Sequence, residues 1–370
     1  MSIASKVVVA GFAIFSMIFG SSNIVFPLII GKDFSSNWPF AILGWITATV
    51  IIPMTGYFGA MLFEADTKKY LSPIGKHLTF LLMFVIMMMI GPFGVIARGV
   101  NVSFGGIHVV APNINEMLFN ILYCALTVVL AWHPGKIVQI IGMVFTPLKF
   151  GGIVIIIAGA LYLGGSISSI PQSDVSVFDA YLESFKTGYQ TMDLLAAFLM
   201  ATTIYMYIKN SLPEEKKNDK KLLLKFVGMA CIVGGLVLTA VYSGLTLVGA
   251  QYSTQLQGTA NEALFTRVAE IAMGDYASWF VAIVIAACCL ATNIVLTSVF
   301  TDYVHKDILK EKFNRRLILI IVGILTFAMS LLGFEKICSV MAKILEAVYP
   351  AIIIFVAARI VHYYATAKKR

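Results

Sequence analysis

Long apolar runs recur along this chain so closely that little else fits between them. They fall at roughly 7–31, 39–63, 78–104, 117–132, 137–163, 186–208, 222–249, 277–301, 316–333 and 338–363. A helix that crosses a bilayer needs about 20 mostly apolar residues, so these runs read as membrane spans, about ten of them. The chain is 59% hydrophobic and 12% charged, whereas soluble domains carry about 25% charge. The expected fold class is therefore an all-α integral membrane protein, with residues 1–370 as a single transmembrane domain and no soluble domain of useful size. The first run is not read as a removed signal peptide, because it is too long and no small-residue cleavage site follows it.

The net charge of +8 sits in short loops, where it reads as a topology signal rather than as a nucleic-acid footprint. Lys6, Lys68, Lys69, Lys76, Lys136, the cluster Lys209, Lys216, Lys217, Lys220, Lys221 and Lys225, then Lys306, Lys310, Lys312, Arg315, Arg316 and the terminal Lys368, Lys369 and Arg370 alternate onto one side. The intervening loops 105–116 and 164–185 contain no Lys or Arg, and 250–276 contains only Arg267. By the positive-inside rule both termini face the cytoplasm, so the chain is placed in the inner (plasma) membrane with an even number of spans. The cysteines (Cys124, Cys231, Cys288, Cys289 and Cys338) all lie in apolar stretches with no CxxC, which argues against disulfides and metal sites. The histidines are scattered and form no HExxH pattern.

Two of the runs are interrupted by polar residues. In the first, Gly20, Ser21, Ser22 and Asn23 separate the apolar run 7–19 from Ile24, Val25, Phe26 and Pro27. Gly, Ser and Asn favour turns and caps, and Pro has no N–H to give. In hydrocarbon each freed backbone group costs several kcal/mol, so irregular backbone persists only where it lines a cavity or is buried in protein. The sixth run repeats the pattern with Gly188, Tyr189, Gln190, Thr191, Met192 and Asp193 before apolar sequence resumes at Leu194. Close packing by small residues would explain one such cluster. Two clusters at matching places in two five-span halves point to a 5+5 inverted repeat with its binding site at the breaks. The halves are read as about 7–163 and 186–363, with helices 1 and 6 discontinuous.

Half-helix ends set the chemistry. The N–H groups that restart the helices, near 23–25 and 193–195, suit a carboxylate. Carbonyls near Phe19 and Gly188 suit a small cation, and the hydroxyls of Ser21, Ser22 and Thr191 add neutral groups. No Arg or Lys is expected beside either break in the fold, so a zwitterion with an apolar side chain is a better substrate than a phosphate or dicarboxylate. Thr191 and Asp193 are expected N-caps of the second half-helix, with proton carriage as the other role open to Asp193. The eighth run supplies Thr292, Asn293, Thr297 and Ser298, as hydroxyl and carbonyl ligands for a hard cation or as ordinary back-bonded helix residues.

Charges inside the runs are functional candidates by default. Arg98 lies near the outer end of the third run and is expected to snorkel to the interface. Lys149 follows Pro147 in the fifth run. Lys343 and Glu346 stand at helical spacing and are expected to form a structural ion pair.

The run GFAIFSMIFGSSNIVFP at 11–27 resembles the first helix of the branched-chain amino acid:cation symporters, the BrnQ (LIVCS) family. SPIGK at 72–76, GPF at 91–93 with Arg98 and VSF at 102–104, PGK at 134–136, PLK at 147–149, GYQTMD at 188–193 and AVYP at 347–350 extend the resemblance, in order, over nearly the whole chain. The family's members continue for further spans beyond the tenth, and at Gly105, Val295 and Glu346 this sequence departs from their pattern. The resemblance implies a LeuT-like fold of the amino acid–polyamine–organocation superfamily. It implies a substrate site at Gly20, Ser21, Ser22, Asn23, Gly188, Tyr189, Thr191 and Met192. It also implies an ion site from the Phe19 carbonyl with Thr292 and Asn293, to which Thr297 adds a hydroxyl.

The expected function is secondary active import of branched-chain, aliphatic amino acids (leucine, isoleucine, valine and also methionine) coupled to Na⁺. H⁺ coupling, with Asp193 or Glu346 as carrier, is the alternative, and a membrane enzyme or passive channel a lesser one; no constellation of catalytic residues is apparent. The expected partners are a small amino acid and membrane lipid. No nucleic acid, obligatory protein partner or cofactor beyond the coupling ion is expected.

Overall fold

Apolar sequence with little β-branched alternation builds helices, and every regular element among the described residues is helical. A computed structural model describes residues 3–132, 146–164, 170–217 and 219–367. The PGK element, His133 and the start of the fifth run lie outside these residues, as do the side chains of Pro147 and Lys149.

The first run divides into α1 (Ile3–Ile18) and α2 (Ser21–Phe34). The second forms α3 (Trp38–Ile46), a π-turn at Thr47–Ile51 and α4 (Ile52–Leu62). A short α5 (Thr67–Leu71) leads to α6 (Lys76–Ile90) and α7 (Val95–Val110), and then to α8 (Glu116–Ala131) and α9 (Thr146–Leu163). The sixth run forms α10 (Val177–Gly188), a 3₁₀ turn at Tyr189–Thr191 and α11 (Asp193–Ser211). Then come α12 (Lys220–Gln251), α13 (Leu264–Met273), α14 (Asp275–Tyr303), α15 (Arg315–Ser330) and α16 (Phe334–Ala367).

Five stretches among the described residues are long and apolar enough to cross a membrane, and α10 with α11, bent by 45°, makes a sixth. This is fewer than the ten runs of the sequence. The difference is one of continuity and length: Ser21–Leu62 runs on as one stretch from α2 to α4, and α1, α8 and α15 have only 16 residues each. The third run, expected to be one continuous helix, is broken at 91–94, where Gly91, Pro92, Phe93 and Gly94 form a turn between α6 and α7. Pro92 cannot donate to the ladder, and glycines flank it.

Close helix crossings place the breaks. A methyl group on Gly31 of α2 would overlap the Thr246 carbonyl of α12, and one on Gly249 would overlap the Leu28 carbonyl. Only residues without a side chain allow two backbones this near, the usual way membrane helices gain contact. One large core joins α1, α2 and α12, with Phe15, Phe19, Leu28, Tyr242 and Leu245 buried in it. A second joins α7, α11 and α16 through Ile96, Leu194, Leu195, Leu345 and Tyr349. The breaks at 19–20 and 189–192 lie where these two cores adjoin.

Lys343 and Glu346 on α16 are both exposed and form no ion pair, contrary to expectation. An exposed pair three residues apart gains little over the solvation it gives up.

Candidate functional site

At the first break the helix ends at Ile18, runs through Phe19 and an extended Gly20 (φ −101°, ψ −167°), and restarts at Ser21, two residues earlier than the sequence suggested. Asn23 organises the gap. Its Oδ1 accepts from the backbone N–H of Gly20 at 3.3 Å. Its Nδ2 donates to Asp193 Oδ2 at 3.0 Å and to the Tyr242 hydroxyl at 2.5 Å. One buried amide thus uses both donors and its acceptor, and through them ties the first break to the second and to α12. The ring of Phe19 stacks between Phe15 (5.2 Å) and Tyr242 (5.8 Å), and Trp45 meets Tyr242 edge-on at 5.8 Å. Ser21 and Ser22 are buried, and the Ser22 hydroxyl has no hydrogen-bond partner.

The second break is built differently. The helix cap is Met192, in the left-handed conformation at φ 60°, with no side-chain cap bond. An L-residue with a long side chain adopts this conformation at some cost, so the surrounding packing must hold it. Gly188 supplies part of that packing: a Cβ there would meet the Ala48 Cβ at 2.5 Å, beside the π-turn of the second run. Tyr189 stacks on Tyr349 of α16 at 4.7 Å. The Thr191 hydroxyl donates to the Gly188 carbonyl at 2.8 Å and lies beside the Asp193 carboxylate. Asp193 therefore does not cap the helix by its side chain as expected. Its carboxylate is spent on Asn23, across 170 residues of sequence.

The cation of this site comes from α7. Arg98 is fully buried, and its terminal nitrogen donates to the Gln190 carbonyl inside the second break at 2.8 Å. It does not snorkel, and the second break does have an arginine beside it, which overturns both expectations. The Gln190 carbonyl, inside the second break, gives the guanidinium a partner within the protein. No ion pair joins Arg98 to Asp193, although the two charges lie close enough to interact.

The profile of the family described as branched-chain amino acid transport proteins matches residues 3–370. The chain belongs to this family. Among curated relatives, it is 27% identical over 356 residues to the branched-chain amino acid permease BrnQ of Bacillus subtilis (strain 168), covering 94% of this chain and 79% of the relative. It is 27% identical over 354 residues to the branched-chain amino acid transport system 3 carrier protein of Pseudomonas aeruginosa, covering 94% and 78%. It is 25% identical over 358 residues to BrnQ of Escherichia coli K12, covering 95% and 79%. Among solved structures, a substrate-bound, outward-open Na⁺-coupled sialic acid symporter covers 93% of this chain and 85% of its own at a TM-score of 0.46 and 13% identity. The family is one of multi-pass membrane transport proteins, its members permeases and carriers rather than enzymes.

Within that family setting, the remaining predicted residues divide. Asn23, Gly188, Tyr189, Thr191, Met192 and Asp193 are brought together with Gly20, Ser21 and Ser22 at the two breaks. Thr292 and Asn293 of α14 bond elsewhere. Thr292 donates to the Cys288 carbonyl of its own helix at 3.2 Å, and Asn293 donates to the Ile96 carbonyl of α7 at 3.0 Å, packed against Gly99. Thr297 is buried with its hydroxyl unpartnered. Arg98 was visible in sequence as a charge in a membrane run but was assigned to the wrong place. Tyr242, Trp45 and Tyr349 carried no signal that separates them from ordinary core aromatics.

The turn Asn261–Ala263 packs over α2, α7 and α16. Lys32 of α2 donates to Asn261 Oδ1 at 3.3 Å, and Asn261 donates to Glu335 of α16 at 3.2 Å. Glu262 packs against Gly105, with one carboxylate oxygen buried and unpartnered. Burial pushes the Glu262 carboxyl above its usual range, and the nearby Glu335 and Glu116 push it the same way.

Proposed function

We propose that this chain is a secondary active transporter that imports branched-chain and similar aliphatic amino acids by symport with Na⁺. Leucine, isoleucine and valine are the expected substrates, and methionine a further one, being unbranched but similarly apolar. The observation that carries the reading is the Asn23–Asp193 bond, which joins two interrupted helices at one buried point. Interrupted helices meeting inside a membrane protein are where transporters bind substrate and ion. The reading takes the ten runs as a 5+5 inverted repeat with both termini in the cytoplasm. Helix N-termini at Ser21 and Asp193 attract the substrate carboxylate, and the apolar walls around the breaks accept an aliphatic side chain. The buried, unpartnered Thr297 hydroxyl, with the Phe19 carbonyl, is the proposed start of the Na⁺ site; Thr292 and Asn293 would have to exchange their present bonds to join it.

The test is uptake of radiolabelled leucine by the purified protein in proteoliposomes under an imposed inward Na⁺ gradient. Gradient-dependent, saturable accumulation is expected. Absence of gradient-driven uptake for every aliphatic amino acid tried would reject the reading.

One observation favours a second reading, H⁺ coupling: the Asp193 carboxylate is buried at the junction of the breaks. Uptake by D193N, measured against external pH with and without Na⁺, separates the two. Under Na⁺ coupling the Na⁺ dependence survives in the variant. Under H⁺ coupling a pH gradient alone drives wild-type uptake and no longer drives that of D193N.

A further inference from the structure

Among the described residues, Arg98 is a fully buried charge with most of its donors unmet. It is fully buried, yet only one of its nitrogens is used, donating to the Gln190 carbonyl at 2.8 Å. Its Nε and its other terminal nitrogen make no hydrogen bond. A guanidinium carries five N–H donors in a planar fork, and leaving them unmet in a low-dielectric interior is costly. The neighbouring groups do not meet that need. The Cys338 thiol of α16 lies against Arg98 and is a weak acceptor. Asp193 lies near but forms no ion pair with it, its carboxylate taken by Asn23 and by the adjacent Thr191. Glu262 approaches the same Cys338 from the turn Asn261–Ala263 and also forms no ion pair with Arg98.

The geometry points to Arg98 as the anchor for the carboxylate of the transported amino acid. This rests on the proposed amino acid transport and deepens it. A planar carboxylate is the group that a guanidinium fork pairs with two bonds at once, and Arg is preferred over Lys wherever that fit matters. The fork is held by the second break itself through Gln190, so substrate bound there touches backbone and charge together. Asp193, on the same break and not neutralised by Arg98, lies where it attracts the substrate ammonium. A zwitterion then completes both charges, whereas a simple anion or a simple amine leaves one of them unmet.

The test uses the full chain, purified in detergent, with displacement of radiolabelled leucine by unlabelled leucine and by leucinol, which keeps the ammonium and side chain but lacks the carboxylate. In wild type leucinol should bind about a hundredfold more weakly than leucine, the usual worth of bonds to a charged group. In R98Q leucine affinity should fall and the leucine-to-leucinol ratio should shrink to about tenfold or less, leaving only the helix termini to hold the carboxylate. R98K keeps the charge without the fork, so its ratio should lie between the two. It also serves if R98Q does not fold. A ratio unchanged from wild type in R98Q, or in R98K where only that variant folds, would overturn the inference while leaving leucine transport standing. Wild-type protein that binds no aliphatic amino acid would instead overturn the transport reading itself, and this inference with it.

Discussion

At the first break the chain leaves the helix for only Phe19 and Gly20, and one uncharged amide closes the gap. Gly20 has room to spare there, since the nearest atom to an added Cβ is 3.8 Å away. At the second break the chain turns through a left-handed Met192, Gly188 is pressed against Ala48, and two opposite charges, Arg98 and Asp193, face the turn. Two clusters that look alike in sequence are therefore held by different physics. The first is a loosely packed joint fixed by hydrogen bonds. The second is a tightly packed joint that carries the charge. A membrane interior makes both expensive, and the Asn23–Asp193 bond lets each offset the other.

Removing the charge at the second break should do the most damage. D193A leaves Arg98 without its nearby anion and Asn23 without one of its two acceptors, and should cost about 3–5 kcal/mol of stability. That appears as a large fall in the thermal unfolding midpoint in detergent. D193N, which keeps an acceptor oxygen but not the charge, should recover only the part owed to the Asn23 bond. If D193N is as stable as wild type, the second break is not distinguished by charge.

Losing the amide of the first break comes next. N23A strands the Gly20 N–H and one oxygen of Asp193, at about 1–3 kcal/mol on the same scale. A smaller loss would mean that water replaces the amide, and the first break would then be wetter than described here.

The glycine pair sharpens the contrast further. G188A must displace Ala48, at about 1–3 kcal/mol. G20A meets nothing closer than 3.8 Å and keeps an allowed backbone, so it should stay within about 0.5 kcal/mol of wild type. Equal effects would erase the difference in packing.

The smallest effect concerns the turn Asn261–Ala263. Because burial raises the Glu262 carboxyl, the docked turn is favoured while that group is protonated. Its contribution is complete below the ordinary value of 4.5 and is lost as pH rises through the raised value. Amide exchange of residues 258–263, corrected for intrinsic rates, should quicken over that rise in wild type and stay flat in E262Q.

Both breaks were legible in the sequence because Gly, Ser, Asn and Asp stand out in an apolar run, and a membrane leaves such residues few other uses. The bond between them was not, since nothing in 20–23 indicates which of the distant polar residues Asn23 will meet. Arg98 was misplaced for a related reason. A lone charge in an apolar run gives no sign of the distant acceptor, here the Gln190 carbonyl of the second break, that holds it inside. The resemblance implies a cation at Asn293, but a backbone carbonyl of α7 takes up its amide. Lys343 and Glu346 had the right spacing for a pair but lie exposed, where spacing alone does not bring charges together. Periodicity locates helices; which side chains meet across them depends on crossings that single-residue patterns do not encode.

The central claim is that the two breaks act as one binding unit through Asn23 and Asp193. A double-mutant cycle on leucine binding tests it most directly, using wild type, N23A, D193A and the combined variant, all purified in the same detergent. The two losses should be non-additive by about 1 kcal/mol or more, because each variant already weakens the bond the other would remove. Losses that add to within about 0.3 kcal/mol would mean that the breaks bind independently, and would contradict the claim.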